Sequence, residues 1–162
     1  ITDKIDNGKI INKQRFSIPK NYNAKNLYNK VIKISKKQAI NICTKIKNNL
    51  KIKSINQKGK VSHWRARNYK DGVIDWRMSG LSVHNLVKAL SWPYPGASFY
   101  YKNNEYKLLK TKLVKHKFYN AEPGKIVGFD RANPMIMCGK DLIKIVISEP
   151  NLNLNKKDKY LN

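Results

Sequence analysis

The run Ser91-Trp92-Pro93-Tyr94-Pro95-Gly96 constrains this chain more than any other segment. Each proline lacks an amide proton and its ring clashes with the preceding turn, so two prolines and a glycine in succession end any helix that reaches them. The run divides the sequence into two styles. Before it, apolar residues recur at steps of three and four; after it, only short strand-like runs appear, separated by turn residues.

In the first style, Leu27, Val31, Ile34, Ala39, Ile42, Cys43, Ile46 and Leu50 predict an amphipathic helix from about Ala24 to Leu50, or two in tandem with a break near Ser35. Leu81, His84, Leu86, Val87 and Leu90 predict a second helix over 80–90. Residues 9–18, rich in β-branched side chains and bounded by Gly8 and Pro19, predict a strand. Between Lys51 and Gly72 periodicity is lost, Gln57-Lys58-Gly59 reads as a turn, and a boundary between two structural units is expected there. In the second style, strands are expected over 98–101, 106–115, 125–129, 135–138 and 142–147, a spacing that suits a small antiparallel barrel. The Asn- and Lys-rich tail after Pro150 is expected to be loose, with Tyr160-Leu161 its only apolar anchor.

With 162 residues and 41% apolar content, the chain can bury a real core. Its formal charge of +24 suits a nucleic-acid or anionic-membrane surface. Against that, the lysines are spread from Lys4 to Lys159, arginines are few, and the abundance of Lys, Asn, Ile and Tyr is the mark of A+T-rich coding. Background bias is therefore the preferred source of the charge, which would still steer phosphate-bearing substrates inward. No window reaches the 18 or so apolar residues of a membrane span and no signal sequence is visible, so the expectation is a cytoplasmic protein with no membrane partner. Cys43 and Cys138 form no metal-ligand pattern and are read as reduced, small hydrophobes; no metal is expected. The chain opens on Ile1 rather than Met, which reads as a fragment.

Three groups of residues carry chemical information. The first is Asp3-x-x-Asp6-Asn7-Gly8, a carboxylate-bearing turn ahead of a β-rich stretch. The second is Trp64-Arg65-x-Arg67, then Asp71-Gly72-x-Ile74-Asp75-Trp76, His84-Asn85-Leu86-Val87-x-Ala89 and Pro93-Tyr94-Pro95-Gly96-Ala97. The third is Pro123-Gly124-Lys125-Ile126-Val127, followed by Met137-Cys138-Gly139-Lys140-Asp141. In this order they resemble the N10-formyltetrahydrofolate-dependent formyltransferases, the family of methionyl-tRNA formyltransferases and sugar-nucleotide N-formyltransferases, over nearly the whole chain and in its C-terminal part.

The resemblance implies an α/β plus β fold: the C-terminal strand and helix of a Rossmann-like formyltransferase domain (1–62), a linker (63–76) and a small open antiparallel β-barrel of OB-like type (77–162). It implies N10-formyltetrahydrofolate as the formyl donor. Of the family's Asn, His and Asp catalytic set, only the Asp carries over, onto Asp6. The Asn-x-His-Pro-Ser segment has no counterpart here, and His63, His84 and His116 stand in other contexts. The chain by itself is accordingly expected to be inactive. Asp3 is either a solvated turn residue or a group facing the folate. Arg65 and Arg67, beside Trp64, either bind the substrate's pyrophosphate or a tRNA backbone, or fasten the linker by pairing with Asp71 or Asp75. Asp75 is expected to cap the following helix, and Trp76, Trp92, Tyr94 and Gly96 to be architectural. Met135 and Met137 read as core positions of a strand.

Within the family, the arginine-bearing linker and the Pro-Met-Ile-Met-Cys-Gly segment resemble the enzymes that formylate a nucleotide-linked amino sugar, aminoarabinose among them. A methionyl-tRNA formyltransferase, with tRNA as partner, is the alternative that gives the charge a direct use. A non-catalytic RNA-binding module is the reading outside the family. A homodimer completes the expected partners.

Overall fold

In the computed structural model, residues 5–115, 120–154 and 158–161 are described. The chain divides into two compact units, one comprising residues 1–22 and 26–66, the other Asn23–Lys25 with Arg67–Asn162.

The helix α1, Ala24–Lys47, whose residues from Asn26 onward belong to the first unit, runs without a break at Ser35. Leu27, Ile34 and Ile42 are half-buried along one stripe, while Val31, Ile32, Ile40 and Ile46 are exposed. Lys45 and Lys47 in the last turn oppose the negative end of the helix dipole. Asn49 then takes a left-handed conformation (φ 50°), and the Leu50 amide donates back to the Lys45 carbonyl at 2.9 Å, closing the helix as such caps do. The expected strand over 9–18 is not found: within it only Ile10 forms a bridge, exchanging hydrogen bonds of 2.9 and 3.0 Å with Ile55. β-branched side chains favour extended backbone, but a strand exists only as part of a ladder, and neighbouring residues such as Ile11 and Ile18 stay exposed.

The second unit holds the core. A capping box at Asn68 and Asp71 starts the 3₁₀ turn Tyr69–Gly72. Ile74 then bonds alongside the first strand through Ser98 at 2.7 Å. Helix α2, Gly80–Ala89, is capped by Ser79, whose hydroxyl accepts from the Ser82 amide at 3.0 Å. Asp75, expected in that role, lies too early in the chain; its carboxylate grips Arg77 instead. Five strands follow: β1 (Ala97–Tyr101), β2 (Asn104–Val114), β3 (Ile126–Asp130), β4 (Asn133–Met137) and β5 (Leu142–Glu149). They form one antiparallel sheet in the order β1-β2-β5-β4-β3, with register shifts in β2 between Leu108 and Thr111 and in β3 between Ile126 and Gly128.

Val83 and Val87 of α2 meet Phe99, Leu108, Ile136, Ile143 and Ile145 from the inner face of the sheet. Trp76 seals this core edge-on against Phe99, with ring centroids 5.4 Å apart. The tail is tied down where it is described. The Leu161 amide bonds to the Gly124 carbonyl at 2.8 Å, its side chain is fully buried, and Lys102 bridges to Asp158 at 2.8 Å. Leu152 and Leu154 pack against the same core, so the expectation of a loose tail with a single anchor does not hold for these residues. Gly124 (φ +86°) makes the tail's approach possible: a Cβ there would stand 2.6 Å from the Leu161 carbonyl oxygen.

Candidate functional site

Asp6 sits in a tight turn with a left-handed backbone (φ 58°), a conformation that Asp and Asn tolerate better than most residues. The turn is held from a distance. The antiparallel Ile10–Ile55 pair brings the extended segment that follows Ile55 alongside. Two residues on, the Gln57 side-chain amide donates to the Asp6 carbonyl at 2.7 Å and to the Gly8 carbonyl at 2.8 Å. One side chain thus spends its amide donors on fixing the backbone either side of Asn7. The Asp6 carboxylate is left exposed on a fixed turn. Such a group can accept a proton or orient a donor, provided the turn does not move.

Gln57 was not visible as a site residue in the sequence. The local signal, Gln57-Lys58-Gly59, marks a turn, and Gly59 does adopt φ +120°. Nothing local shows that its amide reaches a turn 51 positions earlier.

Trp64 is 89% exposed and Arg65 and Arg67 are exposed as well. The unit boundary falls between Ala66 and Arg67, so the two arginines belong to different units. Asp75 pairs with neither: it holds Arg77 through hydrogen bonds of 2.7 to 3.0 Å, and these hold its carboxyl down at about 2. The Asp71 carboxylate accepts from the Asn68 amide at 2.8 Å within the capping box. Asp3 and His116 lie outside the described residues. His63 is exposed; His84 is half-buried with Nδ1 2.9 Å from the Thr111 hydroxyl, and burial, with Lys88 nearby, holds its imidazole below the usual range. Cys138 is fully buried, which pushes its thiol up to about 12. Among the described residues, no group of three His, Cys, Asp or Glu side chains could hold a metal ion, and no helix is long and apolar enough to cross a membrane.

Residues 67–156 match the family described as formyl transferase, C-terminal domain. The chain belongs to the formyltransferase family. It corresponds to the C-terminal part of that family's members, and the antiparallel sheet with its flanking helix lies within the matched region. It is 32% identical to the bifunctional polymyxin resistance protein ArnA of Wigglesworthia glossinidia brevipalpis over 98% of this chain and 24% of that protein. It is 34% identical to the methionyl-tRNA formyltransferase of Clostridium beijerinckii over 55% of this chain and 29% of the relative. For the methionyl-tRNA formyltransferase of Clostridium botulinum the figures are 30%, 68% and 36%. The chain therefore spans about a quarter to a third of the length of these relatives.

Proposed function

We propose that this chain is the C-terminal part of an enzyme that transfers the formyl group of N10-formyltetrahydrofolate to the amino group of a nucleotide-linked amino sugar. The observation that supports a sugar acceptor over tRNA is the extent of similarity. The likeness to ArnA runs over 98% of the chain and includes the Asp6 turn, whereas the likenesses to methionyl-tRNA formyltransferases cover 55% and 68%.

In this reading residues 1–62 complete a Rossmann-like catalytic domain, residues 63–76 link it to an OB-like barrel, and Trp64, Arg65 and Arg67 receive the nucleotide. A guanidinium fork matches a pyrophosphate geometrically, and an exposed indole offers a face for a base. Asp3 is the residue this reading assigns to folate binding. When bound, N10-formyltetrahydrofolate supplies an activated formyl carbon open to attack by a neutral amine. Asp6 fits a place beside it: the carboxylate accepts hydrogen bonds only, and it helps take the proton that the attacking amine must lose. Gln57 keeps the turn, and hence the carboxylate, in position. The Asn and His donors that stabilise the oxyanion come from outside this chain.

Methionyl-tRNA as acceptor is the second reading, favoured by the +24 charge, which would grip an RNA backbone. The test is to offer the natural protein carrying this sequence an amino-sugar nucleotide and a charged initiator tRNA separately, with labelled formyl donor. Label on the sugar supports the proposal; label on the tRNA alone replaces it with the second reading. Label on neither leaves a non-catalytic RNA-binding module as the surviving account.

A further inference from the structure

The sheet of the second unit has two faces, and alternation along the strands separates them. Ile143 and Ile145 of β5 point into the core, so Lys144 and Val146 point the other way. Lys144 stands directly opposite Lys112 of β2 on one side and Met135 of β4 on the other. Asn133, two residues before Met135, shares that face. The β3–β4 hairpin closes beside it, with Asp130 paired to Asn133 and Arg131 at the tip in a left-handed conformation (φ 57°). Lys112, Asp130, Arg131, Asn133, Lys144 and Val146 together line a cavity of about 340 Å³.

The charge of this cavity is unbalanced. Two lysines directly opposed across a ladder repel each other, and the Lys144 side chain is only 17% exposed. The Asp130 carboxylate bonds to Lys144 and fixes its ammonium group, but one carboxylate cannot offset three cations in one concavity. The general spread of lysines over this chain does not produce such an arrangement, since isolated surface lysines neither converge nor share a hollow. Arg131 adds a planar fork of donors and Asn133 an amide.

We infer that this cavity is a binding site for the phosphate groups of a small molecule on the scale of a diphosphate or nucleotide. A phosphate dianion neutralises Lys112 and Arg131 while Asp130 holds Lys144 at its side, and Asp130 remains able to accept a hydroxyl on the same ligand. A half-open hollow of this volume, at the lower end of the usual range for small-ligand sites, has room for a compact anion. The site is independent of the formyl-transfer reading, since it draws nothing from Asp6 or the arginines near the unit boundary.

The test is calorimetric titration of the chain with inorganic pyrophosphate at fixed ionic strength, and in parallel with a single-stranded RNA oligonucleotide. Saturable binding of pyrophosphate is expected, weakened at least about tenfold by Lys112→Ala and by Arg131→Asn. Asn tolerates the left-handed turn, so that variant removes the guanidinium and keeps the hairpin, which circular dichroism verifies. Lys36→Ala on α1, far along the sequence from the cavity, is expected to bind like the parent. The inference is overturned if pyrophosphate does not saturate or if Lys36→Ala weakens it as much as Arg131→Asn. RNA whose binding depends on Arg131 while pyrophosphate shows no such dependence would also overturn it.

Discussion

Replacing Gly139 by alanine tests how the second unit is held together. The added Cβ would lie 2.0 Å from the Arg77 carbonyl oxygen and 2.8 Å from its carbon, and both are backbone atoms that no rotamer change can move aside. The Arg77 segment has little room to retreat. Its amide is tied to the Asp75 carboxylate at 2.9 Å, Trp76 before it is in the core, and Ser79 after it caps α2. Relief requires a shift of about 1 Å, an overpacking cost of about 1–3 kcal/mol. The shift would also weaken the bonds of 2.9 Å from the Gly139 amide to the Trp76 and Met78 carbonyls, adding about 1 kcal/mol. A total of about 2–4 kcal/mol in a unit of about a hundred residues lowers Tm by roughly 8–32 °C, at about 4–8 °C per kcal/mol. Differential scanning calorimetry of Gly139→Ala reads this directly. Gly128→Ala is the control, because its Cβ meets only the mobile end of Met135 at 3.3 Å, and it should cost under about 1 kcal/mol. A Gly139→Ala melt within about 3 °C of the parent, or no lower than that of Gly128→Ala, would refute the reasoning.

The buried tail predicts that Leu161→Ala costs about 2–5 kcal/mol in urea unfolding, although it lies next to the last residue; a cost below about 0.5 kcal/mol would mean the tail is not part of the core. Cys43 is exposed and Cys138 buried with its thiol raised to about 12, so a thiol reagent should label Cys43 alone in the folded chain and both cysteines in denaturant; rapid labelling of Cys138 in the folded state would contradict the structure. His84 is held below its usual value of 6.5 by burial and by Lys88. Its contribution is therefore fully present above that value, falls as pH drops through it because the unfolded chain takes up the proton first, and levels off below the folded value. His84→Gln should flatten that slope in melting temperatures taken from pH 8 down to pH 5, and an unchanged slope would remove His84 as its source.

What was legible in the sequence was whatever local chemistry decides. The three- and four-residue spacing of α1 and α2, and the prolines after α2, place both helices within three residues of their observed ends. The turns Lys102-Asn103, Glu122-Pro123-Gly124 and Gly139-Lys140 separate β1 from β2, β2 from β3 and β4 from β5, because residues that adopt left-handed or constrained backbone announce themselves by type. Asn133-Pro134, which reads as the remaining turn, instead lies inside β4, and the chain reverses at Arg131-Ala132. Features decided by distant partners were not legible. Residues 9–18 have strand composition but only one bridge, at Ile10. Asp75 has the chemistry of a cap, yet Ser79 stands at the right position and Arg77 takes the carboxylate. Gln57 acquires its role only when Ile10 meets Ile55, and Lys112, Arg131 and Lys144 are indistinguishable from the other basic residues until β2, β3, β4 and β5 pair. The motif residues Asp6, Trp64, Arg65 and Arg67 were found through a family resemblance that the match over 67–156 bears out at the level of the family.

The central claim is formyl transfer to an amino-sugar nucleotide with Asp6 taking part, and one experiment bears on both halves. In the natural protein that carries this sequence, amino-sugar nucleotide and charged initiator tRNA compete in one reaction for labelled formyl groups, for the parent and for Asp6→Asn. The account predicts label on the sugar, a kcat reduced by roughly 10²–10⁴ in Asp6→Asn, and a KM changed far less. Label on the tRNA in preference to the sugar, or an undiminished kcat in Asp6→Asn, would contradict it.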